Sequence, residues 1–138
     1  MTAERWLAAA AVACLALSLS LPAIQGSGFP GLSGLDVLRQ GAGAWRDGVI
    51  AWYANPVLIV ALVATFLGRF RTGLGFGLVG SMLALSSFGA QSMATSAGRN
   101  VPAFSFAAGF YVWLAAFAIV LVATAVGIYK ESNERLPT

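Results

Sequence analysis

Apolar residues along this chain fall into four uncharged runs, Trp6 to Ile24, Gly48 to Gly68, Thr72 to Gly98 and Asn100 to Tyr129, separated by short segments that hold the charge. Each run is about 20 residues or more, which at 1.5 Å rise per helical residue crosses a hydrocarbon core of about 30 Å once, and none is long enough to cross twice. Membrane-spanning strands would show alternating polarity over about ten residues. Stretches such as Val57 to Leu67 are instead continuously apolar, and in lipid a helix satisfies every backbone polar group within its own segment. The pattern therefore predicts an all-α integral membrane protein, a four-helix bundle in one domain, with spanning helices over residues 5–24, 48–68, 73–92 and 106–129.

The connecting segments refine this picture. Pro22 and the cluster Gly26-Ser27-Gly28-Phe29-Pro30-Gly31 end the first helix and open a loop over residues 25–47. Within that loop Leu35, Leu38, Ala42, Trp45, Val49 and Trp52 recur at spacings of three and four, with Asp36, Arg39, Arg46 and Asp47 mostly between them. This predicts a short interfacial helix leading into the second span. The second and third spans are joined by Gly68-Arg69-Phe70-Arg71-Thr72-Gly73, which permits only an antiparallel hairpin. Gly73, Gly77, Gly80, Ser81 and Ala84 lie on roughly one side of the third span, the small-residue spacing that lets helix backbones approach closely.

Composition agrees with a lipid environment: 59% of the 138 residues are hydrophobic and 9% charged, against roughly 25% charged in ordinary soluble domains. The net charge of +3 comes from basic residues scattered beside the span ends, so it reports topology and not a nucleic-acid surface. Arg5, Arg69, Arg71, Lys130 and Arg135 gather on one side and Arg39, Arg46 and Arg99 on the other, five against three. By the positive-inside rule both termini are expected in the cytoplasm. A cleaved signal peptide is the rival for the first run, but the segment from Leu21 to Gly26 offers no good small-x-small site, and a lipoprotein reading of Cys14 fails because apolar residues continue beyond it. A retained anchor is expected.

Trp45, Trp52, Tyr53, Tyr111 and Trp113 fall near the outer span ends and Trp6 and Tyr129 near the inner ones, as in an aromatic belt at each interface. In Asn55-Pro56 a polar side chain falls about 10 Å inside the outer end of the second span. Pro56 is expected to start or kink the second helix, and the Asn55 amide to satisfy a freed carbonyl or bond a neighbouring helix; a ligand contact in an unwound segment is the alternative.

The candidate chemistry is sparse. Histidine is absent, the single cysteine is Cys14, and the four runs contain no Asp, Glu, Lys or Arg. Proton relays and ion-coupled pumps depend on such residues, and Ser81, Ser86, Ser87 and Cys14 have no recognisable base. No catalytic residue, metal site or cofactor is expected.

Trp52-Tyr53-Ala54-Asn55-Pro56, the basic hairpin Gly68-Arg69-Phe70-Arg71 and Ala108-Gly109-Phe110-Tyr111-Val112-Trp113-Leu114 together resemble a group of small, uncharacterised bacterial inner-membrane proteins. That group shares W-x-A-N-P opening helix two and G-[FY]-Y-x-W-L opening helix four. The resemblance covers about residues 40 to 125 and implies a four-helix inner-membrane protein without carrying over any activity. Small multidrug exporters are similar in length but use a membrane glutamate in helix one, which the stretch from Leu7 to Ile24 lacks. Fluoride channels share glycine-rich helices, but their third-helix motif is matched only faintly by Leu85-Ser86-Ser87-Phe88.

The expected role is a non-catalytic scaffold, assembly or accessory subunit in the lipid bilayer, forming a homo-oligomer or part of a larger membrane protein complex. The alternative is a small oligomeric channel or transporter for a neutral or anionic solute. The orientation is tested in a Cys14→Ala background: a cysteine at Ser27 should react with an impermeant thiol reagent from the periplasm, and one at Ser132 should not. The reverse pattern would overturn it.

Overall fold

Helix α1 (Ala3–Ser20) stops two residues before Pro22, whose ring disfavours the helical conformation for the residue preceding it, and Leu21 accordingly turns extended at φ −87, ψ 152. In this computed structural model, which describes residues 2–26, 29–41, 50–96 and 104–134, the chain then enters a strand, β1 (Pro22–Gly26), where the apolar pattern predicts helix to residue 24 and loop beyond. β1 pairs antiparallel with β2 (Phe29–Ser33) on one side and with β3 (Phe104–Phe106) on the other, giving the order β2-β1-β3. The expectation of an all-α fold is corrected by this small sheet. Its registers are Pro22↔Ser33, Ile24↔Leu32 and Gly26↔Phe29 with irregularities between them, and Ile24↔Phe106, Gln25↔Ser105 and Gly26↔Phe104.

Helix α2 (Gly34–Gly41) follows β2 directly. Ser33 and Asp36 form a reciprocal cap: the Ser33 Oγ accepts the Asp36 backbone N–H at 3.2 Å, the Asp36 Oδ2 accepts the Ser33 backbone N–H at 3.1 Å, and the Ser33 hydroxyl donates to Oδ2 at 2.6 Å. The Ser33 hydroxyl, then its backbone N–H and the charge of Arg39 hold the Asp36 carboxyl below its ordinary pKa. Gly34 touches the end of α1, where a Cβ would run into the Ser18 carbonyl, and its N–H donates to the Leu21 carbonyl at 3.0 Å. The start of the segment expected to form an interfacial helix is thus helical, while Trp45, Arg46, Asp47 and Val49 lie outside the described residues.

A single 3-10 turn (Ala51–Tyr53) leads into α3 (Ala54–Phe66), a tight turn with Gly68 at φ 72 reverses the chain, and α4 (Phe70–Ser96) returns. The reversal is shorter than expected, since α4 starts at Phe70 and not at residue 73. Positive φ at Gly68 suits glycine because any Cβ would crowd the following carbonyl. Helix α5 (Ala108–Glu134) closes the chain, beginning after β3 and ending five residues past the expected 129.

The described chain is mostly helical, and among the described residues three helices, Ala3–Ser20, Phe70–Gly89 and Ala108–Glu134, are long and apolar enough to cross a membrane. Ala51–Phe66 is apolar but shorter. α1 packs chiefly on α5, α5 also on α4, and α4 on α3. The interior is built from small residues, with Ala8, Ala11, Ala54, Ala61, Ala84, Ala116 and Ala123 buried around Leu58, Phe117 and Val120. Large side chains point outward instead: Ile59, Val63, Val79, Met82, Leu85 and Val122 are all about half exposed or more. A surface of this kind suits hydrocarbon as its solvent. Thr65 and Thr124, fully buried, donate to the carbonyls of Ala61 at 2.7 Å and of Val120 at 3.0 Å, so neither hydroxyl is left unpaired.

Three helices meet at Gly73 on α4. A Cβ there would meet Thr124 Cγ2 of α5 and Thr65 Oγ1 of α3, each at 2.9 Å. One and two turns on, a Cβ at Gly77 would lie 3.0 Å from Leu121, and one at Gly80 would lie 2.9 Å from the Phe117 ring and 3.2 Å from Val57. Gly75 has nothing within 4 Å of such an atom. Overpacking of this interface costs about 1–3 kcal/mol, so Gly77→Leu and Gly80→Leu should lower the thermal unfolding temperature in detergent. Gly75→Leu should leave it unchanged or raise it slightly, because leucine also favours helix. Equal effects at all three positions would mean that α4 is not packed through this face.

Candidate functional site

Pro56 occupies the first turn of α3, where it is well tolerated but cannot offer its nitrogen to the Trp52 carbonyl four residues back. The side chain of Asn55 takes that place: its Nδ2 donates to the Trp52 carbonyl at 3.1 Å. Its Oδ1 accepts from the indole Nε1 of Trp113, on α5, at 2.9 Å. Asn55 thus binds the Trp52 carbonyl and a neighbouring helix at once. The Trp52 indole in turn donates to the Leu38 carbonyl of α2 at 2.8 Å. One hydrogen-bonded chain therefore runs from α2 through the 3-10 turn and α3 to α5.

Around this chain the rings form a continuous cluster. Trp113 stands edge-on to Phe117 with centroids 5.2 Å apart, Phe110 lies 5.7 Å from Trp113, and Phe106 of β3 stacks on Phe110 at 3.8 Å with 14° between planes. Phe88 of α4 meets both Phe106 and Phe110 edge-on, at 5.3 and 5.4 Å. Such pairs each add about 0.5–1.5 kcal/mol beyond area burial, and together they tie β3 and the start of α5 to α4. At that start Gly109 presses on α1's end: a Cβ there would lie 2.8 Å from the Leu21 carbonyl and 2.9 Å from that of Pro22.

The residues singled out from the sequence separate into groups. Gly73, Gly77, Gly80 and Ala84 face the helix interfaces, and Ser81 beside them donates to the Gly77 carbonyl of its own helix at 2.8 Å. Of the aromatics expected in belts, Trp6, Tyr53, Tyr111 and Tyr129 are well exposed. Trp52 and Trp113 are only partly exposed and turn their N–H groups to protein acceptors, so their rings do more than face an interface. Trp45 and Arg135 lie outside the described residues. Arg5, Arg69 and Arg71 are exposed, whereas Lys130 pairs with Glu4 of α1 at 2.7 Å.

That ion pair and Gly109 were not read from the sequence as structural features. The signal for the first was available, an acid at the start of the first apolar run and a base at the end of the last, but it has meaning only once α1 and α5 are known to be neighbours. Chemically, the Asn55 chain is neutral throughout and both polar atoms of the amide are engaged. Its components hold helices together; none is positioned as an acid, base or nucleophile.

The chain matches no protein-family model, no curated protein and no solved structure.

Asn55→Ala should lower stability by about 0.5–2 kcal/mol, the range of hydrogen bonds between membrane helices. A double-mutant cycle with Trp113→Phe, read by denaturant unfolding in detergent, should show that the two losses do not add. Additive losses would mean that the two side chains act independently.

Proposed function

We propose that this chain is a four-pass bacterial inner-membrane protein with both termini in the cytoplasm, acting as a non-catalytic scaffold, assembly or accessory subunit. Ala51–Phe66 supplies the fourth crossing on this reading, joined to α4 by the tight turn at Gly68. The carrying observation is the state of Asn55: this polar side chain of the second apolar run has its Oδ1 bound to Trp113 and its Nδ2 bound to the Trp52 carbonyl. A solute site would need that amide to be offered to a ligand, and here it serves helix-to-helix attachment. The interior hydroxyls behave alike, with Thr65, Ser81 and Thr124 donating to carbonyls of their own helices. What the molecule presents outward is a large apolar surface, suited to lipid and to the apolar faces of other membrane helices, of this chain or of a different subunit.

The test is purification from the native membrane in mild detergent, followed by sizing and identification of stoichiometric partners, with flux of small solutes including halides measured in liposomes. A stable complex or oligomer without specific flux is the expected result, and Asn55→Ala should retain it in proportion to folded protein. Specific flux in the wild type that disappears in a still-folded Asn55→Ala variant would replace this reading with a channel or transporter.

A further inference from the structure

At the end of the molecule opposite the sheet, the α3–α4 turn, the start of α4 and the last turns of α5 border an open, shallow recess of about 360 Å³ lined by Gly68, Arg69, Phe70, Arg71, Thr72 and Glu131. Three charges share it, two guanidinium groups and one carboxylate. Arg69 and Arg71 are exposed, and the ion pair found among the described residues is elsewhere, between Glu4 and Lys130. Opposite charges thus line one recess without closing on each other.

Ala51–Phe66 explains what would come to this recess. Its 3-10 turn and α-helical part together extend only about 25 Å at 2.0 and 1.5 Å per residue, less than the hydrocarbon thickness of about 30 Å. A short span is accommodated by thinning of the bilayer and by flanking residues that reach for the headgroup layer. On the four-pass reading this end of the molecule lies at a membrane surface, with Arg69 in the turn that follows Phe66 and Arg71 in the first turn of α4.

From these observations we infer that the recess binds the headgroup of a phosphoethanolamine lipid, its phosphate on Arg69 and Arg71 and its ammonium on Glu131. The inference rests on the membrane-spanning reading above. A guanidinium matches the geometry of a phosphate with paired N–H donors. Glu131 decides between headgroups: a carboxylate beside the arginines repels a purely anionic lipid, accepts hydrogen bonds from a primary ammonium, and finds no N–H donor on a quaternary one. The charges of the recess, two positive and one negative, complement the single negative and single positive charge of the ligand.

The experiment uses the full chain in mild detergent and measures binding of short-chain phosphatidylethanolamine, phosphatidylcholine and phosphatidylglycerol by native mass spectrometry. Wild type should favour phosphatidylethanolamine over phosphatidylcholine by about tenfold, the equivalent of one charge-assisted hydrogen bond. Glu131→Gln should erase that preference and raise phosphatidylglycerol binding. Arg69→Gln with Arg71→Gln should weaken all three lipids, and circular dichroism should confirm that both variants keep wild-type helicity. Equal binding of the ethanolamine and choline lipids by wild type, a wild-type preference for phosphatidylglycerol, or no effect of Glu131→Gln would each overturn the site. Recovery of the chain in the aqueous phase without detergent would instead end the membrane reading on which it rests, so the two failures are told apart.

Discussion

The hydrogen bond from the Trp113 indole to the Asn55 amide, 2.9 Å long, joins two helices whose positions the other contacts then follow. α3 and α5 have little direct packing between them compared with what each makes to α4, so this bond and the glycine face of α4 set their separation together. Where α4 passes between them its Cβ atoms are missing at Gly73 and Gly80, and Thr65, Thr124, Val57 and Phe117 fill the space. In an apolar solvent there is no hydrophobic drive to bring helices together, and close backbone packing with a few hydrogen bonds takes its place. An alanine-rich interior beneath an exterior of Ile, Val, Leu and Met fits that physics.

α1 is held to α5 at its two ends by different means. At one end the Glu4 carboxylate and the Lys130 ammonium meet at 2.7 Å, with the Glu4 side chain 10% exposed. At the other, Gly109 brings the α5 backbone against the Leu21 and Pro22 carbonyls, and β3 adds backbone pairing to β1. The sheet thus acts as a connector: it joins the segment after α1 to the segment before α5, and its β2 edge carries the capped helix α2. Through the Trp52 indole bound at Leu38, α2 returns to the Asn55 chain. The two motifs that open the second and fourth apolar runs contribute Trp52, Asn55, Gly109 and Trp113 to these contacts. Their spacing in sequence has a physical purpose in the fold, independent of any kinship.

The recess at the opposite end is where this framework leaves charge unused. Arg69 and Arg71 read from the sequence as topology markers, and nothing in their local pattern distinguishes that role from a binding one. Only the arrival of Glu131 from the far end of the chain gives the recess both signs of charge. Lys130, one residue earlier, is committed to Glu4, so two adjacent residues of α5 serve separate contacts.

Long apolar runs, the proline and glycine positions that punctuate them, and the small-residue spacing along α4 are local properties. From them the predominance of long apolar helices was legible in the sequence by itself, and the short connection between α3 and α4 and the small residues along α4 could be marked there. Asn55 could be marked as a group needing partners because a polar amide in an apolar helix must find some, wherever the partners lie. The identity of those partners was decided by tertiary structure, since Trp113 lies 58 residues from Asn55 and Lys130 lies 126 residues from Glu4. The sheet belongs with them: strands of three to five residues show too little alternation to be recognised, and Gln25 meets Ser105 only because α1 and α5 bring their ends together. Helices answer to neighbouring residues through hydrogen bonds four positions apart, whereas strand pairing and interhelical contacts answer to residues that only the folded chain makes neighbours.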